Sequence, residues 1–205
     1  MINGPRHVPR LEFLVPADGA IQYSTFLQAG ILEERNAPLT VGEFLVSLPG
    51  FTPQYIRERV ETIFLNGLPV DDLETRMYGP SPVLAISGVM PGLAGAIFRK
   101  NSFHAALRTS TPDSLASRLP NSEKITIRLK LFNIIAAEKG AILLHNGCVM
   151  SSDSIVRFMN YRCHLFSHLQ SLRFDDKPIC LDDLRNLLLA SETVFLRIQE
   201  NNVGT

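Results

Sequence analysis

Neither sign of charge is in excess in this sequence. Twenty Lys and Arg stand against twenty Asp and Glu in 205 residues. A cut near Pro120 leaves ten basic and eleven acidic groups before it, ten and nine after it. A protein held on phosphate backbones normally carries a basic excess or cluster, so nucleic acid is not an expected partner. Long apolar runs are missing too. The longest, Gly88 to Phe98, has eleven residues, about half of the ~20 that a membrane-spanning helix needs. Cysteine is scarce: Cys148, Cys163 and Cys180 are an odd number without the dense spacing of a disulfide framework. The first residues, Met1-Ile2-Asn3-Gly4-Pro5-Arg6-His7, lack the charged-then-apolar pattern of a signal peptide. A cytoplasmic location with no membrane partner is the resulting expectation. No P-loop, dinucleotide fingerprint or HExxH motif is present, and Ser87-Gly88 has no glycine two residues before the serine. No cofactor is expected.

What is present is an ordinary globular composition, 45% hydrophobic and 20% charged. Leu11, Phe13 and Val15 alternate as a short strand, and Ile21 to Leu27 reads as its return strand after the turn Asp18-Gly19. Thr40 is a cap for a helix whose stripe is Val41, Phe44, Leu45 and Leu48; Thr52-Pro53 restarts it. Thr62–Leu65 is a strand closed by Asn66-Gly67, and Val83–Ile86 is a central strand. The order is β-β-α-β-β.

The second half repeats that order. Ile125, Ile127, Leu129 and Leu131 alternate with polar residues. Lys139-Gly140 turns this strand into Ala141–Leu144, and Ser151, Ser152 and Asp153 cap a helix from Ser154 to about Gln170. Leu172–Phe174, a turn at Asp175-Asp176, a helix Leu181–Leu189 and a strand Thr193–Ile198 complete it. Ile63-Phe64-Leu65-Asn66-Gly67-Leu68-Pro69-Val70 aligns with Leu172-Arg173-Phe174-Asp175-Asp176-Lys177-Pro178-Ile179. A duplicated α+β unit is expected, with modules at 8–108 and 122–200 joined by a polar linker at 109–121.

Thr62-Ile63-Phe64-Leu65-Asn66-Gly67 with Val70, and Pro91-Gly92-Leu93-Ala94-Gly95-Ala96 after the Val83–Ile86 strand, resemble the sulfur-carrier branch of the β-grasp (ubiquitin-like) superfamily, the ThiS/MoaD-like proteins. The resemblance covers residues 11–96. It implies two tandem β-grasp modules, each a mixed sheet on one main helix. In that branch a terminal glycine carboxylate becomes a thiocarboxylate, which needs a free chain end. Here Gly95 is followed by more than a hundred residues, so carrier chemistry is set aside unless the chain is cleaved there.

Gly88 to Phe98, followed by Arg99-Lys100, has neither strand alternation nor a clean helical stripe and reads as a loop or arm. Val89, Met90, Pro91, Gly92, Leu93, Gly95 and Phe98 form the candidate interface, for a protein partner or a second copy of the chain. The alternative is sulfur or metal handling. His164 and His168, four apart on a helix, could share a metal with His145 and Cys148; Cys148 near His145 is also the best thiol–imidazole pair. Projection around the helix puts both histidines opposite the apolar face of Ile155, Phe158, Met159, Phe166 and Leu169, where solvent is the simpler neighbour. The acidic pairs Asp71-Asp72, Asp175-Asp176 and Asp182-Asp183 fit turns and helix starts.

Overall fold

The structure is a computed structural model that describes residues 8–108 and 123–201. The expected linker at 109–121 lies outside the described residues. In chain order the elements begin with β1 (Arg10–Pro16), α1 (Phe26–Ala29), β2 (Ile31–Asn36), α2 (Val41–Val46) and α3 (Pro53–Arg59). Then come β3 (Thr62–Leu65), β4 (Leu68–Pro69), β5 (Val83–Ser87), α4 (Gly92–Phe98), β6 (Lys124–Phe132) and α5 (Asn133–Asn146). The remainder is β7 (Cys148–Ser151), α6 (Ser152–Tyr161), α7 (Cys163–Phe166), β8 (Ser171–Phe174), β9 (Lys177–Pro178), α8 (Leu181–Leu189) and β10 (Thr193–Asn201). Two 3-10 turns lie at Ala20–Tyr23 and Phe103–Leu107. The class is α+β with mixed β-sheet, as the sequence implies.

The chain divides into two compact units: the described residues of Met1–Ile31 with Ala141–Thr205, and those of Leu32–Gly140. We call them the outer-segment unit and the middle unit. The expected modules at 8–108 and 122–200 are shared between them.

In the middle unit the strand order is β4-β3-β5-β6-β2. β3 is antiparallel to β4 and to β5, while β5 and β6 run parallel. Strict alternation makes β6 a strand buried on one side: Ile125, Ile127, Leu129 and Leu131 are all in the core. α2 starts on a capping box, with the Glu43 amide donating to Thr40 Oγ1 at 3.1 Å and the Thr40 amide to Glu43 Oε2 at 2.8 Å. α3 starts on Thr52, whose Oγ1 accepts from the Tyr55 amide at 3.1 Å, with Pro53 in the first turn.

In the outer-segment unit the order is β7-β10-β1-β8-β9. β1 is antiparallel to β8 and parallel to β10, and β10 is antiparallel to β7. The core is aromatic. Phe26 stacks on Phe158 with centroids 3.8 Å apart, and Phe13, Tyr23 and Phe166 surround that pair at 5.7–6.4 Å from one another or from it.

The two hairpins match position by position. Phe64 pairs with Pro69 and Leu65 with Leu68; Arg173 pairs with Pro178 and Phe174 with Lys177. Both turns use two residues with positive φ, Asn66 (53°) and Gly67 (82°), Asp175 (46°) and Asp176 (64°), the two-residue geometry that follows strand twist. The Val70 amide donates to the Ile63 carbonyl at 2.9 Å and the Ile179 amide to that of Leu172 at 3.1 Å.

Four expectations are corrected. Ile21–Leu27 is not a strand but a 3-10 turn followed by α1. Ala20, Tyr23, Phe26 and Leu27 are buried while Ile21 is 49% exposed, a spacing of three to four rather than two. Ala141–Leu144 is not a strand but part of the continuous helix α5, because an apolar run without alternation fits either state. Its buried residues Ile135, Ala136, Leu143 and Leu144 keep helical spacing. The next strands in the chain are β2 and β7, and neither lies beside the strand that precedes it: β1 sits between β10 and β8, and β6 between β5 and β2. The expected helix to Gln170 breaks at Arg162 (φ −127°, ψ 37°). Continued unbroken, the stripe Ile155–Phe158–Phe166 would carry the Arg162 guanidinium into the core; the break leaves Arg162 exposed and Phe166 buried. Lastly, Gly92–Phe98 is the helix α4, not a loop.

Candidate functional site

The segment from β5 to Arg108, in the middle unit, turns through Val89-Met90-Pro91 into α4 and then into the 3-10 turn Phe103–Leu107. Glycine permits the entry. Gly92 has φ +75°, and a Cβ on Gly95 would lie 1.8 Å from the Met90 carbonyl oxygen. α4 is therefore folded tightly back on the residues before it. Its inner side is tied down by Phe98, whose ring is 5.3 Å from that of Phe64 on β3. The two short helices pack on each other, joined through Ser102, whose hydroxyl donates to the Ala96 carbonyl and accepts from the His104 amide.

A clamp of charges holds the far end. The Arg108 side chain is only 9% exposed. Its Nε donates to the Ile97 carbonyl at 2.8 Å, its Nη2 to the Arg99 carbonyl at 2.6 Å, and its Nη1 to Asp71 Oδ2 at 2.6 Å. Asp71 Oδ1 accepts from the Asn101 amide at 2.9 Å. The Lys100 amide donates to the Glu61 carbonyl at 2.6 Å and its Nζ to the Val60 carbonyl at 2.9 Å. These polar atoms of the segment thus have partners on its inner side.

Its outer side is apolar. Val89 is 57% exposed, Leu93 70%, Phe103 96% and Leu107 66%. Large apolar side chains this exposed, on a segment this firmly anchored, cost solubility with no return in the isolated fold. Of the residues expected to form an interface, Val89, Pro91, Gly92 and Leu93 are exposed and Met90 is half-buried. Gly95 is buried and Phe98 turns inward. Phe103 and Leu107 extend the surface beyond the expected residues. Two large apolar residues five and nine positions past Phe98 were the available signal, lost by ending the arm at Phe98. Gly95 is a helix residue whose carbonyl accepts from the Arg99 amide at 3.1 Å, not a chain end.

The histidines fall elsewhere. His164 and His168, in the outer-segment unit, are exposed and line one cleft of about 330 Å³ with Gln22 and Tyr23. Tyr23 donates to the Leu165 carbonyl at 2.8 Å, and burial pushes its hydroxyl pKa up to about 12. His145, in the last turn of α5, and buried Cys148, on β7, do not line this cleft. Among the described residues no group of three or more His, Cys, Asp or Glu is placed to hold a metal ion. The acidic pairs serve the structure of turns, helix starts and inter-segment contacts. Asp72 Oδ1 accepts from the Glu74 amide at 2.9 Å, Asp175 Oδ1 from the Arg10 amide at 2.8 Å, and Asp182 and Asp183 sit in the first turn of α8.

Among the described residues no helix is long and apolar enough to cross a membrane. No protein-family model, curated protein or solved structure matches the chain.

Proposed function

We propose that this protein is a non-enzymatic binding module that self-associates through the outer side of α4 and the 3-10 turn Phe103–Leu107. The observation that carries the reading is the contrast within one segment. Arg108, Asp71 and Lys100 pin its inner side, while Leu93 and Phe103 stand out at 70% and 96% exposure. A preorganised apolar surface loses little conformational entropy on docking, and aromatic side chains of this kind are the common anchors of interfaces.

The scaffold reading belongs with it: two β-grasp-like units descended from one duplicated unit. In its support, both units run hairpin, antiparallel neighbour, parallel neighbour: β4-β3-β5-β6 in one and β9-β8-β1-β10 in the other. The middle unit takes β6 from the second half of the chain, and the outer-segment unit takes β1 from the first.

Sedimentation of the full chain over a concentration series tests the function. The wild type is expected to shift from monomer to dimer, and Leu93→Asp/Phe103→Asp to stay monomeric with an unchanged circular dichroism spectrum. A wild type that is monomeric throughout, or a variant that associates as well as the wild type, overturns the proposal.

A further inference from the structure

A cavity of about 450 Å³ opens in the middle unit, within the size range of small-molecule sites. Neither Leu93 nor Phe103 lines it, so it is separate from the apolar surface described above. Val46, Ile56 and Leu73 give its lining an apolar part. The rest carries charge of both signs: Arg57 and Lys100 against Glu43, Asp71 and Glu74.

Not all of that charge is available. Asp71 is neutralised by Arg108 at 2.6 Å. Two cations and two carboxylates remain. Lys100 Nζ donates to the Val60 carbonyl at 2.9 Å and the Ile56 carbonyl at 3.4 Å, which uses two of its three N–H groups. It makes no ion pair within 4 Å among the described residues, and burial lowers its pKa against the weaker opposing pull of the Glu61 and Asp71 carboxylates. The side chains of Arg57 and Glu74 make no hydrogen bond or ion pair among the described residues. Glu43 uses one carboxylate oxygen on the Thr40 amide and keeps the other.

A lining that balances to zero favours neither a net anion nor a net cation. It favours a molecule carrying both charges, since each charged group gains a charge-assisted hydrogen bond without leaving a like charge opposed. We propose that this cavity binds a small zwitterion with an apolar substituent, an α-amino acid of the leucine kind. Its carboxylate meets Lys100 and Arg57, its ammonium meets Glu74 and Glu43, and its side chain lies against Val46, Ile56 and Leu73.

Nuclear magnetic resonance titration of the full chain tests this with three probes: L-leucine, L-leucinamide, which lacks the carboxylate, and 4-methylpentanoate, which lacks the ammonium. Leucine is expected to shift the amides of Glu74, Lys100 and Asn101 saturably. Each truncated probe is expected to bind about tenfold more weakly, the worth of one charge-assisted hydrogen bond. Glu74→Gln weakens leucine about tenfold and leaves 4-methylpentanoate unchanged, and Lys100→Met weakens both. Should Lys100→Met fail to fold, the exposed Glu74 position decides alone. Leucine without saturable shifts, three probes of equal affinity, or Glu74→Gln that binds leucine as the wild type does would each overturn the proposal.

Discussion

At the scale of the residue, Gly95 and Gly92 look alike in the sequence and do different work. A methyl on Gly95 would meet the Met90 carbonyl oxygen at 1.8 Å, a backbone atom that cannot move without unwinding the entry to α4. At Gly92 nothing lies within 4 Å, and only its φ of +75° disfavours a side chain. Gly95→Ala is therefore expected to destabilise the protein by about 1–3 kcal/mol, the usual cost of overpacking or more, and Gly92→Ala by about 1 kcal/mol. Urea midpoints read both, and equal losses at the two positions would refute the packing argument. The sequence reveals these glycines as unusual but assigns them the wrong cause. Pro91 to Ala96 resembles a flexible carrier tail only while the place of the Met90 carbonyl and the Phe64–Phe98 contact are unknown, and the second is a tertiary fact.

At the scale of the element, α3 and α5 are linked by a surface cluster. Tyr55 donates to Glu138 Oε2 at 2.7 Å, Arg59 pairs with the same carboxylate, and Lys139 Nζ lies 3.8 Å from the centre of the Tyr55 ring. The hydrogen bonds from Arg59 and Tyr55 hold the Glu138 carboxyl below its ordinary pKa. A depressed carboxyl stabilises the fold above its ordinary pKa, and that contribution disappears as pH falls through the depressed value. Glu138→Gln is thus expected to cost about 0.5–1 kcal/mol at neutral pH, in keeping with an exposed pair. The wild type's advantage should shrink to nothing on acidification. Urea unfolding at stepped pH checks it: a gap between the two proteins that stays constant down to pH 3 refutes the assignment. The same cluster explains a misreading. Lys139-Gly140 passes for a turn in the sequence, yet Glu138 and Lys139 are fixed on a helix by partners some eighty residues earlier. Elements with local signals were legible: the Thr40 cap, Thr52-Pro53, Asn66-Gly67 and the alternation of β6 all act within a few residues. Elements decided by distant packing, such as α1 under Phe158 or the break at Arg162, were not.

At the scale of the molecule, alternation in β1 and β6 says which side chains are buried but not which strand lies alongside. Leu11, Phe13 and Val15 satisfy one face of a sheet equally well beside β2 or between β10 and β8, and only the second arrangement is found. That choice has a consequence for fragments. Residues 122–200 alone lack β1 and also Tyr23, Phe26 and Leu27, all buried in the outer-segment unit. Six buried apolar side chains at about 1.5–3 kcal/mol each make a loss of about 9–18 kcal/mol, as large as the whole net stability of a typical small domain, about 5–15 kcal/mol. The fragment 122–200 is accordingly expected to show the narrow amide spectrum of an unfolded chain, and addition of a peptide spanning residues 8–31 to restore dispersion. The fragment 32–140 keeps β2 from Leu32 on, β3, β4, β5 and β6 together, and is expected to unfold cooperatively in urea by itself. If 122–200 folds without the peptide, β1 is dispensable to the sheet in which it lies between β10 and β8.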